Sequence, residues 1–379
     1  MKRSLRQLLF FLYAFVLRIP VWFLIWAVGR TGIFKTVFLI YPIDTSECLD
    51  FTPNIKWYRN FFAHRPTPAG FIMHNWMPVG IYCCIACPAL ELMRKQNKPQ
   101  VEGIMERMRW IKKISGARTV GLAGQLGPIF EKRHGIPIEP PFYASTYGNI
   151  FSIQDAVNHM ARKADRKPWN LSIAILGGGE LADQLKDRLG ADDYQMTLVD
   201  VRYTRKGNAR LIDEEKADKQ LAGMDLVVNL FPRGKDFLDC RLNERIPKSA
   251  TIIDFSRPPI PVTAVPQQVV MGNRVQRDGT RFFMRLPGWK TYELPACSMP
   301  TLVAALGGVT AGSVDEFQSA ARQMSFRTAL AAPPLPPFES LKTRLVGFAN
   351  LLNPAPAETG RLLLQRSRFE TEPSAKHPM

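Results

Sequence analysis

The N-terminal segment contains two apolar runs that are interrupted by a charge and a proline. Residues 8–17 and 21–29 are almost entirely hydrophobic, and Arg18 and Pro20 lie between them. Each run is shorter than the roughly 20 residues of a bilayer-spanning helix, and a charge and a missing backbone donor are both costly in hydrocarbon. Because basic residues flank both runs, we expect a broken or re-entrant helix on an anionic membrane surface, at the cytoplasmic face of the inner membrane. A transmembrane helix and a helix docked on the protein itself are the alternatives.

The following residues combine apolar runs with helical periodicity. An apolar, β-branched run begins at residue 36. Apolar positions three and four apart predict helices over residues 79–94, 100–115 and 150–164. Residues 117–130 predict a strand followed by a glycine-punctuated turn.

Strands and helices then alternate from Trp169 to about residue 262. The predicted strands are 172–176, 196–201, 225–232 and 250–256. This alternation is typical of a parallel sheet built from βαβ units. We therefore predict an α/β protein with a Rossmann-type parallel-sheet domain, a second α/β substrate domain and an N-terminal membrane-associated apolar helix.

These patterns divide the chain into consecutive parts. They are a membrane-associated helix or re-entrant segment over 1–35, a substrate domain over 36–165, a Rossmann domain over 166–265, a return segment that completes the substrate domain over 266–330, and a C-terminal part over 331–379. The last part begins with a Pro-rich linker and continues as an amphipathic helix that we expect to pack on the body, with the membrane surface as the alternative. It ends in a tail that we expect to be disordered.

Composition indicates a globular protein, and its charge indicates acidic partners. Hydrophobic residues make up 46% of the 379 residues and charged residues 22%, which excludes a mainly disordered chain or a polytopic membrane protein. The formal net charge is +17, which suits anionic lipid, nucleotide phosphates, an acidic carrier protein or nucleic acid. We expect no nucleic-acid partner, because the sequence contains no recognition helix, zinc finger or aromatic RNA-binding motif.

The cysteines and histidines predict neither disulfides nor a metal site. The six cysteines are unevenly spaced and follow no secretory cleavage pattern, which indicates a reducing, cytosol-facing protein. Cys84 and Cys87 form a CxxC within an apolar stretch, and no second pair follows at zinc spacing. We interpret this stretch as a buried helical segment. The five histidines are not spaced for metal ligation.

A dinucleotide fingerprint follows the first strand of the predicted Rossmann domain. Gly177, Gly178, Gly179 and Ala182 form a G-x-G-x-x-A motif between strand 172–176 and a helical stretch. Such a motif permits a tight turn, a close approach of backbone N–H groups to a pyrophosphate, and close helix–strand packing. The helix N-terminus adds a partial positive charge for the phosphates. We therefore predict a dinucleotide cofactor at these residues.

The choice between the two nicotinamide dinucleotides depends on residues after the second strand. Asp200 follows the motif by about twenty residues and favours NADH through the ribose hydroxyls. Arg202, Arg205 and Lys206 are able to bind a 2′-phosphate and favour NADPH. We predict NADPH, with NADH possible, and we also assign Pro232, in the turn after the third strand, to the cofactor site.

Cys297 is the candidate nucleophile. It lies between Pro295 and Pro300 at the start of an apolar helical run, beyond the nucleotide domain. Exposed N–H groups at a helix N-terminus stabilise a thiolate, so we expect a lowered pKa for this thiol. A small buried residue without chemistry is the alternative.

Six short motifs follow one another between about residues 104 and 308. They are the glycine-rich Val120–Ile129, the helix start Ser145–Asn149, the nucleotide loop Gly177–Ala182, the strand and turn Asp225–Gly234, the strand end Ile252–Asp254, and Pro295–Cys297 before an apolar helix. In this order they resemble the motifs of the long-chain acyl-carrier-protein reductases, which are NADPH-dependent enzymes that form fatty aldehydes. The resemblance covers roughly half of the chain.

The resemblance implies a reaction on a long-chain acyl thioester. Cys297 would accept the acyl group from acyl carrier protein or acyl-CoA, and NADPH would reduce the acyl-enzyme to an aldehyde. Gln125 and Asn149 would polarise the thioester carbonyl. The basic surface would suit an acidic carrier protein or the phosphates of coenzyme A.

The sequence also departs from that family. Its nucleotide loop is G-x-G-x-x-A instead of G-x-x-G-x-x-G, residues 255–259 replace a pair of glycines after the fourth strand, and the apolar N-terminal segment lies outside the family pattern. Two alternatives therefore stay open. One is a membrane-associated NAD(P)-binding oxidoreductase acting on another small carbonyl substrate, and the other is a non-catalytic NAD(P)-binding sensor.

Overall fold

The computed structural model describes residues 8, 11–12, 16, 18–43, 61–203, 209–283, 286 and 289–331. The predicted amphipathic helix and tail lie outside these residues, as do Arg205 and Lys206 of the predicted phosphate-binding cluster.

Helices and strands alternate through most of the described chain. The strands are β1 Thr36–Ile40, β2 Thr67–His74, β3 Met77–Cys84, β4 Thr119–Leu122, β5 Phe142–Tyr143, β6 Ser172–Leu176, β7 Gln195–Val199, β8 Val201–Tyr203, β9 Ala209–Leu211, β10 Leu226–Asn229, β11 Thr251–Asp254, β12 Gln268–Met271, β13 Arg274–Gln276, β14 Thr280–Phe283, β15 Leu294–Pro295 and β16 Arg327–Thr328. The helices are α1 Arg18–Gly29, α2 Ala89–Leu92, α3 Lys98–Ser115, α4 Leu126–Pro128, α5 Thr146–Lys163, α6 Glu180–Ala191, α7 Glu214–Leu221, α8 Gly234–Asp239, α9 Leu242–Arg245, α10 Met299–Gly307 and α11 Val314–Gln323.

The substrate domain is built on a mixed sheet with the strand order β14-β2-β3-β1-β4-β5. Strands β3, β1, β4 and β5 run parallel, and β2 is antiparallel to both β3 and β14. Core clusters cover both faces, with α3 on one face and α10 and α11 on the other. Strands buried on both sides carry continuous apolar runs, as the TVFLI sequence of β1 does. β14, Thr280–Phe283, comes from the segment after the Rossmann domain and pairs with β2 of this sheet.

The predicted helix over residues 79–94 is wrong. Met77–Cys84 forms strand β3, and only the short α2 within that range is helical. β3 is buried on both faces over most of its length, so its apolar run has no period that separates a strand from a helix. The signal for a hairpin is instead the turn at Asn75 and Trp76, both with positive φ.

The CxxC segment is buried, as predicted, but it is not helical. Cys84 ends β3 and Cys87 lies in the connection to α2, and both side chains are buried. In the described ranges, no group of three or more His, Cys, Asp or Glu side chains is arranged to hold a metal ion.

The Rossmann-type domain is a parallel sheet with the strand order β12-β11-β10-β6-β7. The predicted strands at β6, β7, β10 and β11 are confirmed. The sheet extends beyond the predicted boundary at residue 265, because Gln268–Met271 pairs with β11 as a further strand. Helix α5, which precedes the predicted boundary, buries Ile150, Ile153 and Val157 in the core of this sheet. The two domains therefore share α5.

Helix α1 is docked on the body along one face, which corresponds to an alternative that the sequence left open. It begins at Arg18, where the break was expected. Ile25 is only 2% exposed, and the rings of Trp22 and Trp110 of α3 lie 5.0 Å apart. A Cβ on Gly29 would be 2.6 Å from the Ser115 carbonyl carbon, so this glycine permits the close contact between the two helix ends. No helix in the described part of the chain is long and apolar enough to cross a membrane.

Three buried threonine hydroxyls attach α10 to the substrate sheet. The Thr301 hydroxyl lies 2.8 Å from that of Thr36 on β1 and 2.9 Å from that of Thr119 on β4. All three side chains are buried, so their hydroxyls bond one another and nearby backbone carbonyls at 3.4–3.5 Å, without solvent water. This trio holds the start of α10 at the centre of the sheet.

Thr301→Val should destabilise the protein by about 1–3 kcal/mol, because it keeps the side-chain shape but leaves two buried hydroxyls without their partner. The free energy of unfolding in urea measures the change. Thr310→Val is the matched control, since the Thr310 hydroxyl bonds Tyr143 at the surface, where water replaces the lost partner. A loss no larger than that of the control would show that the trio does not stabilise the fold.

Candidate active site

A large cavity in the described structure lies where the carboxyl ends of both sheets meet. Its volume is about 720 Å³, within the usual range for small-molecule and cofactor sites. The residues after β1, β3 and β4 line one side, and the loops after β6, β10 and β11 line the other. Among the predicted site residues, the cavity brings together Gly178, Gly179, Ala182, Pro232, Gln125, Asn149 and Cys297.

The glycine-rich loop adopts the strand–turn–helix geometry predicted from its sequence. Gly177 and Gly179 have φ angles of +102° and +117°, which side-chain-bearing residues rarely adopt. A Cβ on Gly179 would meet no atom within 4 Å, so its backbone faces open space at the N-terminus of α6. Ala182 is buried against the sheet. These residues fit a dinucleotide, because the open backbone and the helix N-terminus together accommodate a pyrophosphate.

Asp200 contacts the loop directly. Its Oδ1 accepts hydrogen bonds of 2.7 Å from both the Gly178 and Val201 backbone N–H groups. A Cβ on Gly178 would lie 2.2 Å from the Asp200 carboxylate, so only glycine permits this contact. Arg202 is exposed on β8, opposite Arg210 of β9. With Arg205 outside the described residues, the 2′-phosphate cluster stays a prediction.

An ion pair spans the mouth of the cavity between the two domains. Glu180 in the first turn of α6 pairs with Lys132, which follows α4 in the substrate domain. Both side chains are about half exposed and line the cavity, so the pair adds little stability. Its effect is to neutralise a carboxylate next to the expected phosphate position. No sequence pattern indicates this pairing, because the two residues are 48 positions apart.

Cys297 lies in a short turn, Ala296–Ser298, immediately before α10. Its thiol is partly buried and lines the cavity. Gly148 of α5 permits this placement, because a Cβ there would be 2.2 Å from the Ala296 carbonyl oxygen. The predicted location of Cys297 at a helix start is therefore confirmed.

The predicted lowering of the Cys297 pKa is wrong. Burial raises the pKa of this thiol to about 11, although the Gly124 backbone N–H and the Arg257 guanidinium both favour the thiolate. The apolar surroundings disfavour the charged form more than the helix start and the nearby charge favour it. The free thiol is consequently protonated at neutral pH.

Gln125 and Asn149 lie on the same side of the cavity as Cys297. The Gln125 backbone N–H donates to the Tyr41 hydroxyl at 2.9 Å, and Ser145 Oγ donates to the Gly124 carbonyl at 2.6 Å. Asn149 Nδ2 lies 3.4 Å from the same Ser145 hydroxyl. This network fixes the turn that presents the Gly124 N–H to Cys297. Roles for Gln125 and Asn149 in polarising a carbonyl stay predictions.

A further wall of the cavity is polar and was not predicted from the sequence. The Arg257 and Arg274 guanidinium carbons lie 5.7 Å and 4.8 Å from the ring centroid of Trp289. Arg274 forms a buried ion pair of 2.7 Å with Glu293. Asn273 also lines the cavity, and its buried Oδ1 has no hydrogen-bond partner among the described residues. Arg257 lies between β11 and β12, and the other residues follow β12 at irregular spacing, which carries no periodic signal.

A buried carboxylate shapes the loop that carries Arg257. Asp254, at the end of β11, accepts hydrogen bonds from Asn229 Nδ2, the Ser256 hydroxyl and the backbone N–H groups of Ser256 and Ile260. Burial raises the pKa of Asp254, and the four donors oppose that shift. Residues 255–259 thus form a loop that these hydrogen bonds to Asp254 hold in place.

No protein-family model matches the sequence, and no curated protein is found as a relative. Solved structures with similarity include one chain of dipicolinate synthase from Bacillus halodurans, at 11% identity and a TM-score of 0.27, over 42% of this chain and 61% of that one. Glutamate dehydrogenase from Peptoniphilus asaccharolyticus matches at 12% identity and a TM-score of 0.35, over 78% and 76% of the two chains.

A further similarity is to a D-isomer specific 2-hydroxyacid dehydrogenase from Xanthobacter autotrophicus Py2, whose structure contains NADPH. The identity is 17% and the TM-score 0.23, over 40% of this chain and 54% of that one. The chain thus spans only 61% of the dipicolinate synthase polypeptide and about half of this dehydrogenase. Similarities at this level do not define a substrate, and they lend no support to the resemblance to acyl-carrier-protein reductases.

Gly179→Ala should weaken NADPH binding by on the order of tenfold to a hundredfold, because forcing alanine to a φ of +117° costs about 1–3 kcal/mol and places a methyl group in the phosphate space. Titration of NADPH fluorescence measures the dissociation constant. Gly190→Ala in the same helix is the control, since its Cβ would make only ordinary contact with Met196. Equal affinity in the two variants would place the cofactor elsewhere.

Iodoacetamide should alkylate Cys297 at a rate that rises about tenfold per pH unit between about pH 7 and pH 10, because the reactive thiolate fraction grows in this way below a pKa of about 11. Peptide mass spectrometry measures the rate, and Cys297→Ala reports the labelling of other cysteines. A plateau already reached near pH 8 would contradict the raised pKa.

Proposed function

We propose that this chain is an NAD(P)H-dependent reductase that converts a long-chain acyl thioester to a fatty aldehyde through an acyl-enzyme on Cys297. The observation that carries the proposal is the shared cavity. Cys297 and the glycine-rich loop come from different domains, yet both line the same 720 Å³ space. A cofactor bound on the loop would face an acyl group on the thiol.

The cofactor half of the proposal rests on the loop geometry. The residues Gly177–Ala182 would hold the pyrophosphate, and Pro232 would border the cofactor on the neighbouring loop. When bound, the nicotinamide supplies a hydride. We propose NADPH as the preferred donor on the basis of Arg202 and Arg205, with NADH as the alternative favoured by Asp200.

The thioester half rests on the surroundings of Cys297. Its sulfur would bond to the acyl carbon while the bond from that carbon to the carrier sulfur breaks, and the carrier sulfur would take up the proton that Cys297 loses. A hydride and a proton would then convert the acyl-enzyme to the aldehyde and restore the Cys297 thiol. The Gly124 N–H and the Arg257 charge both stabilise the thiolate that the first step requires.

The walls of the cavity support an acyl substrate. Ile40, Ala123 and Leu286 line it together with Cys297, and Arg133 lines it from the substrate domain. A cation at this position suits the acidic surface of acyl carrier protein or the phosphates of coenzyme A. We propose one of these two as the carrier.

A second candidate is the reduction of another small carbonyl compound without an acyl-enzyme. The raised pKa of Cys297 favours it, because a protonated thiol is a poor nucleophile. In that reaction Arg257 and Asn273 would orient the carbonyl group of the substrate directly.

Intact-mass measurement separates the two candidates. The full chain in mild detergent is incubated with palmitoyl-acyl carrier protein or with palmitoyl-CoA, with and without NADPH. We expect the mass of one palmitoyl group on the wild type, its loss on adding NADPH, and no adduct on Cys297→Ala. Cys240→Ala, which removes a buried cysteine of the Rossmann domain, should behave as the wild type.

An adduct that persists on Cys297→Ala would contradict the assignment of the nucleophile. A wild-type protein that binds NADPH but forms no adduct with either carrier would contradict the acyl-enzyme and leave the second candidate.

A further inference from the structure

The outer face of α1 is apolar and exposed. While Val21, Trp22 and Ile25 pack on the body, Ile19 is 81% exposed and Phe23 is 64% exposed, with Leu24 and Trp26 also exposed. The Arg30 guanidinium lies 4.3 Å from the ring centroid of Trp26. Among the described residues, nothing covers this second apolar face, and an exposed apolar face of this kind indicates an interaction surface.

A second exposed aromatic group lies on the hairpin between β2 and β3. Trp76 is 77% exposed at the turn, and its neighbour Met77 is exposed as well. The Arg281 guanidinium stacks over the Trp76 ring at 3.7 Å. Phe283, two residues further along β14, is 55% exposed. Tryptophan held by arginine thus occurs both here and on α1.

The strand register places these two groups on the same face of the substrate sheet. Phe283 pairs directly with Phe71, and Phe71 packs in the core that α1 and α3 cover. Paired residues project to the same side of a sheet, so Phe283 projects to the α1 side. Phe282 lies between Arg281 and Phe283 in β14 and is buried in the core on the opposite face of the sheet. Arg281 therefore projects to the same side as Phe283, the α1 side, and the Trp76 ring stacks against it there.

The chemistry of this face suits one kind of partner. Tryptophan and arginine together are suited to the depth of lipid headgroups, where an aromatic ring reaches the acyl boundary and a cation reaches phosphate. The net charge of +17 adds attraction to an anionic surface over a longer range. A protein partner would bind the apolar side chains alone and would leave the arginines beside the tryptophans without a role, whereas a lipid headgroup uses both.

We propose that the outer face of α1 and the β2–β3 hairpin form a single docking surface for an anionic lipid bilayer. The surface consists of Ile19, Phe23, Leu24, Trp26 and Arg30 on the helix, and Trp76, Met77, Arg281 and Phe283 on the hairpin and β14. Within this surface, the hairpin adds a second point of contact to that of α1. Two points of contact fix the orientation of the substrate domain on the membrane. This inference does not depend on the reaction proposed for Cys297.

Vesicle flotation of the full-length chain tests the hairpin contribution. The protein is mixed with vesicles of phosphatidylcholine alone or with one part in three of phosphatidylglycerol, and detergent is removed. We expect the wild type to float with the anionic vesicles. Trp76→Ser combined with Phe283→Ser should weaken this partitioning by on the order of tenfold, because apolar side chains no longer enter the interface. Phe23→Ser combined with Leu24→Ser should weaken it at least as much.

Trp169→Ser is the matched control, because Trp169 is 53% exposed on the Rossmann domain and lies outside the proposed surface. It should float as the wild type does. In addition, brominated lipid should quench the fluorescence of the wild type more than that of Trp76→Phe, and this difference reports direct contact without loss of the aromatic ring.

Three results would overturn the proposal. One is a hairpin double variant that partitions as the wild type does, with equal quenching in Trp76→Phe. Another is equal binding to neutral and anionic vesicles, which would remove the charge argument. The third is a wild type that stays off both vesicles and instead forms a dimer that the same substitutions dissociate.

Discussion

The site depends on the direction of the strands in two separate sheets. Parallel strands release their connecting loops at the same edge, so a sheet of this kind collects short polar loops and helix N-termini at its carboxyl ends. Here the carboxyl ends of β1, β3 and β4 face those of β6, β10 and β11 across one cavity. Helix α5 fixes this arrangement, because it packs on the Rossmann sheet while its glycine at position 148 touches the turn that carries Cys297.

The chemistry of Cys297 is decided by competition between burial and nearby positive groups. A helix start, a backbone N–H and a guanidinium all favour the thiolate, yet burial dominates and raises the pKa to about 11. Removing solvent strengthens every remaining electrostatic interaction. The Gly124 N–H and the Arg257 guanidinium favour the Cys297 thiolate. They would equally stabilise the negative charge that develops on the oxygen of a substrate carbonyl bound beside them.

Helix α1 has apolar residues both in the protein core and on the surface. Its sequence is apolar on all sides, which a helix in water tolerates only when it is covered on all sides. The body covers one face through Trp22 and Ile25, whereas Phe23 and Leu24 on the opposite face are exposed in the described part of the chain. The apolar excess that suggested a membrane segment is thereby divided between the core and the surface.

Local signals in the chain were sufficient to predict several elements of the fold and the site. The glycine spacing at Gly177–Ala182, the strands around it and the helices over 98–115 and 146–163 follow from periodicity and turn chemistry, and the position of Cys297 at a helix start follows from its flanking prolines. Packing in three dimensions was needed to show that residues 77–84 form a strand, because a run buried on both faces has no distinguishing period. The same holds for the pKa of Cys297, the Lys132–Glu180 pair and the wall of Arg257, Trp289 and Asn273. Burial and charge proximity arise from residues distant in the chain, and no local pattern encodes them.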